Sequence, residues 1–303
     1  MNTFTLHPTC PFRLDYTAWA LRRRAKNLID NWDGKQYTRL LYIERAPILI
    51  MAEQEKEMNN AQIKVTVDQK ITDHIKNKVA QFISKIFSLD LDLKPFYIMA
   101  ENDAHLKQIV NRFMGLKPPR FPSIFETLCN AIACQLLSLD AGIQLLNNLA
   151  EKYGAKHLYN DKEFYSFPEP CNIAERSPRE LRKLGFSFHK SAALIELAKI
   201  VLDQQSLIHI LEKLSDEEAI KYLCSLKGIG RWSAEYTLLR GLGRIHWLPG
   251  DDIGVQRNLQ HYFHLKDEMN YERVVKLAKR WDPYAGLIYF HLLLQKLRER
   301  GSI

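Results

Sequence analysis

Cysteine is scarce in this 303-residue chain: Cys10, Cys129, Cys134, Cys171 and Cys224 are five in all, widely scattered and never spaced as C-x-x-C. Spacing of that kind supports neither a zinc site nor an iron–sulfur cluster, so free, mostly buried thiols are expected. Long apolar runs are missing too; no uninterrupted stretch is long enough to span a bilayer. The opening "MNTFTLHPTCPFRLDY" has no apolar core flanked by lysines and no small-residue cleavage site. That argues against secretion and leaves a cytoplasmic, nucleoid or nuclear protein as the default expectation. Internal repeats and low-complexity tracts are likewise lacking.

What is present fits a soluble protein of more than one unit. The length exceeds one typical domain and favours two or three packed units with a substantial core. An apolar share of 46% beside a charged share of 26% is an ordinary soluble balance. Lysine plus arginine exceeds aspartate plus glutamate by a net charge of +8, which leans toward a polyanionic partner such as nucleic acid.

The first hundred residues alternate as strands do. "AQIKVTV" (61–67) sets Ile63, Val65 and Val67 against Lys64 and Thr66, the period of a half-buried strand. "YTRLLYI" (37–43) and "APILIMA" (46–52) flank a polar "ER" turn. Residues 72–87 space Ile75, Val79, Phe82 and Ile83 at three and four, which predicts a helix. After the proline-rich connector "GLKPPRFPS" (115–123) the pattern becomes almost wholly helical. Ser138–Asp140 is a predicted break and Gly154 a stop, while Ser177 with Glu180, and Ser215 with Glu218, form capping boxes. The fold class is therefore α+β. A small N-terminal α+β accessory domain with an antiparallel sheet (1–106) precedes a mostly helical domain (107–303).

Within the helical part, "LKGIGRWSAEY" (226–236) places Gly228, Ile229 and Gly230 between two helix-forming stretches. Glycines let a backbone turn tightly and let a phosphate come close to the amides that open the second helix. Ser233, in that first turn, could add a hydroxyl. Glycine spacing alone fits an ordinary helical hairpin equally well. Trp232 and Tyr236 are four apart, hence on one helix face, a spacing that also suits plain core packing. Adjacent acids follow in "LPGDDIGVQR" (248–257), with Asp252 20 residues beyond Trp232. Such a pair is commonly a helix cap or a solvated turn.

Taken together, these stretches resemble the helix-hairpin-helix DNA glycosylases, and within them the AlkA-like alkylation-repair branch (3-methyladenine DNA glycosylase II). The residues that carry the resemblance are "LKGIGRWSAEYTLLRGLG" and "LPGDDIGVQR". Upstream, "ETLCNAIACQLLS" is similar to the family's helix and wedge turn, and "LGFSFHKSAALIELA" (184–198) to its glycine–lysine helix. The N-terminal "PFRLDYTAWAL" and "GKQYTRLL" resemble the start of the accessory sheet domain.

The resemblance gives the helical domain two lobes with a cleft between them, and implies damaged double-stranded DNA as the partner, a monomer, no membrane and no cofactor. It leaves room for a structural monovalent cation at the hairpin carbonyls. It implies Asp252 as the catalytic carboxylate, with a basic residue, Arg257, five positions on, and Asp251 as a capping or orienting acid. Trp232 and Tyr236 become walls of a pocket for an extruded base, whose cationic form an aromatic face attracts. Leu136, preceded by Gln135, becomes the side chain inserted into the gap in the stack. Relatives that also cut the strand carry a lysine that forms a Schiff base where this chain has Trp232, so a monofunctional enzyme is expected. Leu293 stands where the branch's prototype has a third pocket tryptophan, and Tyr289 or Phe290 is the candidate replacement. An oxidised-guanine glycosylase and a non-catalytic DNA-binding hairpin protein are the alternative readings.

Overall fold

The computed structural model describes residues 2–203 and 207–303. The N-terminal unit contains β1 (Asn2–Leu6), α1 (Leu14–Arg22), β2 (Asn31–Trp32), β3 (Gln36–Ile43), β4 (Ala46–Glu55), β5 (Gln62–Val67) and α2 (Asp73–Phe87). Its strands form one antiparallel sheet in the order β1-β5-β4-β3-β2. The alternation predicted for residues 61–67 is met: Ile63, Val65 and Val67 are wholly buried while Lys64 and Thr66 are partly exposed. The "ER" turn joins β3 to β4 with Glu44 and Arg45 both in the left-handed region, φ +52° and +66°. Two consecutive positive-φ residues match the right-handed twist of a tight hairpin. Thr72 caps α2 by accepting from the Ile75 amide.

Helices α3 (Lys94–Glu101) and α4 (Ala104–Arg112) lead into the connector, after which α5 (Ile124–Cys134) and α6 (Leu139–Tyr153) are each opened by a serine cap, Ser123 and Ser138. The break between α5 and α6 is Gln135–Ser138, slightly ahead of the predicted one, since Leu139 and Asp140 are already helical. A short hairpin, β6 (Lys156–Tyr159) and β7 (Lys162–Tyr165), follows. Then come α7 (Pro170–Ala174), α8 (Pro178–Arg182), α9 (Phe188–Asp203), α10 (Leu207–Lys213) and α11 (Asp216–Cys224). Both predicted capping boxes, at Ser177 and Ser215, are formed. Helix α12 (Arg231–Thr237) runs into a π turn (Leu238–Leu242), and α13 (Ile253–Tyr262), α14 (Tyr271–Ala278) and α15 (Ala285–Glu299) close the chain.

Three apolar cores organise these elements. One lies beneath the sheet, between it and α1 and α2, and also takes in Phe121, Ala131 and Tyr236. A second joins α5, α6, α9 and the start of α12. The third gathers α3 and α4 with α13, α14 and α15. A boundary between residues 106 and 107 falls inside α4, because the third core draws residues 93–116 to the C-terminal helices. The sheet is fastened to α5 by Arg39, which pairs with Asp30 at 2.7 Å and Glu126 at 2.6 Å, all three buried. Removing one member of such a set strands a buried charge, at a cost of about 3–5 kcal/mol.

The thiols depart from expectation. All five are free, but only Cys129 is buried, and Cys171 and Cys224 are exposed on short helices whose other faces carry the core. No helix among the described residues is long and apolar enough to cross a membrane.

Candidate active site

The two hairpin glycines serve different ends. Gly228 has φ +76°, and a β-carbon there would lie 2.6 Å from the Ala193 β-carbon on α9, so this glycine permits both the bend and the packing. Gly230 is the N-cap of α12 in an extended conformation, φ −97°, with open space where a β-carbon would stand. Ile229 between them is buried in the second core. The first-turn amides of α12 have no intrahelical partner and face a position to which an anion is attracted.

Ser233 does not join them. Its side chain is buried, and its Oγ accepts from Gln135 Nε2 at 2.8 Å, so the hydroxyl expected toward a phosphate is turned inward. Gln135 also donates to the Gly228 carbonyl at 2.8 Å. Of the two residues named for the wedge, Gln135 thus points into the protein, while Leu136 is fully exposed with φ +54°.

Asp252 caps α13. Its Oδ1 accepts from the Val255 amide at 3.0 Å, and its Oδ2 accepts from the Trp232 indole N–H at 2.9 Å. Burial pushes the Asp252 carboxyl above the ordinary range, while the Trp232 indole and the Val255 and Gly254 amides pull it down. Asp251, expected as a capping or orienting acid, does not cap α13 and forms a two-bond pair with Arg231, at 2.5 and 3.0 Å. Only the second acid can satisfy the first-turn amides, because α13 begins at Ile253. That leaves Asp252 as the acid next to the aromatic residues. Arg257 is exposed on α13.

Trp232 and Tyr236 stack on one face of α12 with ring centroids 5.4 Å apart and planes 26° from parallel. Tyr289 meets Tyr236 edge-on, at 6.5 Å and 71°. Of the candidates to replace a third pocket aromatic, Tyr289 is therefore the one beside the stack. Phe290 is buried against the Arg240 guanidinium, and Leu293 packs into the third core.

Three residues were not foreseen. Arg23, buried at the end of α1, donates to the Tyr236 hydroxyl at 3.1 Å and to Asn130 Oδ1 at 2.5 Å. Arg240, also buried, donates to the Ala20 and Leu21 carbonyls and lies over Phe121. Glu235, one residue before Tyr236, is wholly buried; its Oε2 accepts from the Gly250 amide at 2.9 Å, tying α12 to the loop that carries Asp251 and Asp252. Burial pushes its carboxyl up to about 7. The available signal was the one charged residue in the run "SAEYTLL". Among the described residues, no group of three or more histidine, cysteine, aspartate or glutamate side chains is placed to hold a metal ion. The cavity of about 490 Å³ between β3, α2, the start of α5 and residues 166–170 contains neither Asp252 nor Trp232.

This arrangement sets a carboxylate at the rim of a two-ring aromatic stack, hydrogen-bonded to its outer member, Trp232. Comparison with known proteins bears on the family. Residues 22–128 match the N-terminal domain of 8-oxoguanine DNA glycosylase. A DNA-3-methyladenine glycosylase of Bacillus subtilis is 28% identical over 217 residues, 72% of each chain. The alkylbase DNA glycosidase-like protein mag2 of Schizosaccharomyces pombe is 30% identical over 214 residues, covering 66% of this chain and 95% of its own. The solved 3-methyladenine DNA glycosylase from Archaeoglobus fulgidus shares the fold over 99% of this chain and all of its own, with a TM-score of 0.84 at 24% identity. Residues 129–283, just over half of the chain, match the HhH-GPD superfamily base excision DNA repair proteins, and the chain belongs to that superfamily, the helix-hairpin-helix DNA glycosylases.

Proposed function

We propose that this glycosylase excises alkylated purines, of the 3-methyladenine and 7-methylguanine type, from duplex DNA by flipping the damaged base out of the stack. The observation that carries the reading is the Asp252 carboxylate held 2.9 Å from Trp232, at the rim of the Trp232–Tyr236 stack. Breaking an N-glycosidic bond builds positive charge on the sugar, and a fixed carboxylate in a desolvated site stabilises that charge. An alkylated purine already bears positive charge and departs without a strong general acid, so a lone carboxylate suffices. The same positive charge favours binding against electron-rich rings, which supports Trp232 and Tyr236 as the pocket walls, with Tyr289 on their edge. Leu136 fills the vacated gap, and Gly228 to Gly230 with the α12 amides grip the strand backbone.

Trp232 stands where strand-cutting relatives carry the Schiff-base lysine, which supports a monofunctional reaction that ends at an abasic site. The printed names of the B. subtilis and S. pombe relatives point to the same substrate class. One observation favours a second reading, an oxidised-guanine substrate: the match of residues 22–128 to the 8-oxoguanine glycosylase N-terminal domain.

Duplexes carrying 7-methylguanine or 8-oxoguanine separate the two. Chromatography of released bases is expected to find 7-methylguanine with the wild type, and a rate about 10²–10³-fold lower with Asp252→Asn. Release of 8-oxoguanine alone would replace the first reading with the second. Equal release by wild type and Asp252→Asn would remove Asp252 from the chemistry, and strand cleavage before alkali would end the monofunctional assignment.

A further inference from the structure

The turn that presents Leu136 is held from two sides by protein groups. Leu136 sits at φ +54° with its side chain wholly exposed, an apolar residue in a backbone conformation that L-residues disfavour. Such a state persists only where the surroundings over-determine it. From α9, the Lys190 ammonium donates to the Ala133 carbonyl at 2.9 Å and the Gln135 carbonyl at 2.8 Å, closing the C-terminal end of α5. From the turn itself, Gln135 Nε2 reaches the hairpin at the Gly228 carbonyl and Ser233 Oγ, both at 2.8 Å. The hairpin in turn packs on α9, where Gly228 meets Ala193. Turn, hairpin and α9 therefore form a closed triangle with Leu136 at its outer corner.

We propose that Lys190 and Gln135 are positioning residues for base extrusion. They hold Leu136 in the protruding, left-handed conformation in which it enters the stack, and they fix its distance from the hairpin that grips the strand. The inference rests on the reading of Leu136 as the wedge. A turn that had to order itself on DNA would lose conformational entropy at that moment and would be insertion-competent only part of the time. A lysine that only met phosphate would alter affinity and its salt dependence, leaving the inserted fraction of bound complexes unchanged.

The test uses the full chain and a duplex with a tetrahydrofuran abasic analogue whose 3′ neighbour is 2-aminopurine, a base that brightens when its stacking is broken. At saturating protein the wild type is expected to raise the fluorescence and Leu136→Ala to abolish the rise. Lys190→Met and Gln135→Ala are each expected to cut the rise by about fivefold while the apparent affinity moves by less than about threefold. Lys190→Arg, which keeps the charge and two donors, is expected to restore most of it. Gln135→Ala leaves the contact between α5 and α9 intact, so it reads the clamp even where Lys190→Met lowers stability. A full rise in Lys190→Met and Gln135→Ala, with Leu136→Ala dark, would overturn the clamp and leave the wedge standing. A full rise in Leu136→Ala would remove the wedge reading, and the clamp with it.

Discussion

The indole N–H of Trp232 donates to Asp252 Oδ2 at 2.9 Å across 20 residues of sequence, so the aromatic stack and the carboxylate form one hydrogen-bonded unit. Trp232→Phe keeps an aromatic face and removes the donor. With one of its stabilising bonds gone, the buried Asp252 carboxyl moves further above the ordinary range. The acid limb of the single-turnover pH profile is expected to shift to higher pH. An unchanged limb would mean that the bond to Trp232 does not tune the carboxylate.

Asp252 both caps α13 and carries the proposed chemistry, and the two roles separate by substitution. Asparagine can still accept from the Val255 amide, so Asp252→Asn is expected to melt within about 1 kcal/mol of the wild type while losing excision. Asp252→Ala loses the cap as well, and is expected to fall a further ~1 kcal/mol in denaturant unfolding.

Glu235 gives the fold a pH dependence. Its carboxyl, raised to about 7 by burial, keeps a proton in the folded protein that the unfolded chain releases near the ordinary value of 4.5. The folded state therefore binds more protons between these values, and the contribution of Glu235 to stability declines as pH rises from about 4.5 to about 7. Glu235→Gln keeps an acceptor for the Gly250 amide and removes the ionisation. Urea melts at pH 5 and pH 8 are expected to differ less for this variant than for the wild type, with the variant the more stable at pH 8. A difference as large as that of the wild type would assign the pH dependence elsewhere.

The hairpin glycines predict opposite phenotypes. Gly228→Ala forces a β-carbon against Ala193 at a positive φ and is expected to cost about 1–3 kcal/mol of stability. Gly230→Ala meets no atom and needs no unusual backbone, so it is expected to cost about 1 kcal/mol or less. Its methyl group enters the open space before α12, and the expected loss is in DNA affinity, measured by fluorescence anisotropy.

Much of this was legible because it is local. The period of residues 61–67, the serine caps and the short span from Gly228 to Asp252 are all written in neighbouring positions. Trp232 and Tyr236 share a face because helices repeat every 3.6 residues. What escaped depends on distant partners. Arg22 and Arg23 stand in a run of three arginines, yet both are buried, and Arg23 reaches a tyrosine 213 residues away. The inward turn of Gln135 and Ser233 joins two segments 98 residues apart. The family count from Asp252 to Arg257 singles out the second acid, but the physical reason that it and not Asp251 caps α13 lies in Arg231 pairing with the first and α13 beginning after the second.

The bond from Arg23 to the Tyr236 hydroxyl has a consequence for molecules that are damaged themselves. The arginine belongs to the N-terminal unit and the tyrosine to α12, while the hairpin, the wedge turn and Asp252 all lie in the helical part. On the proposed reading Tyr236 is a wall of the base pocket, so a molecule whose N-terminal unit has come undocked loses the brace behind that wall, and its excision is expected to fail toward leaving bases in place.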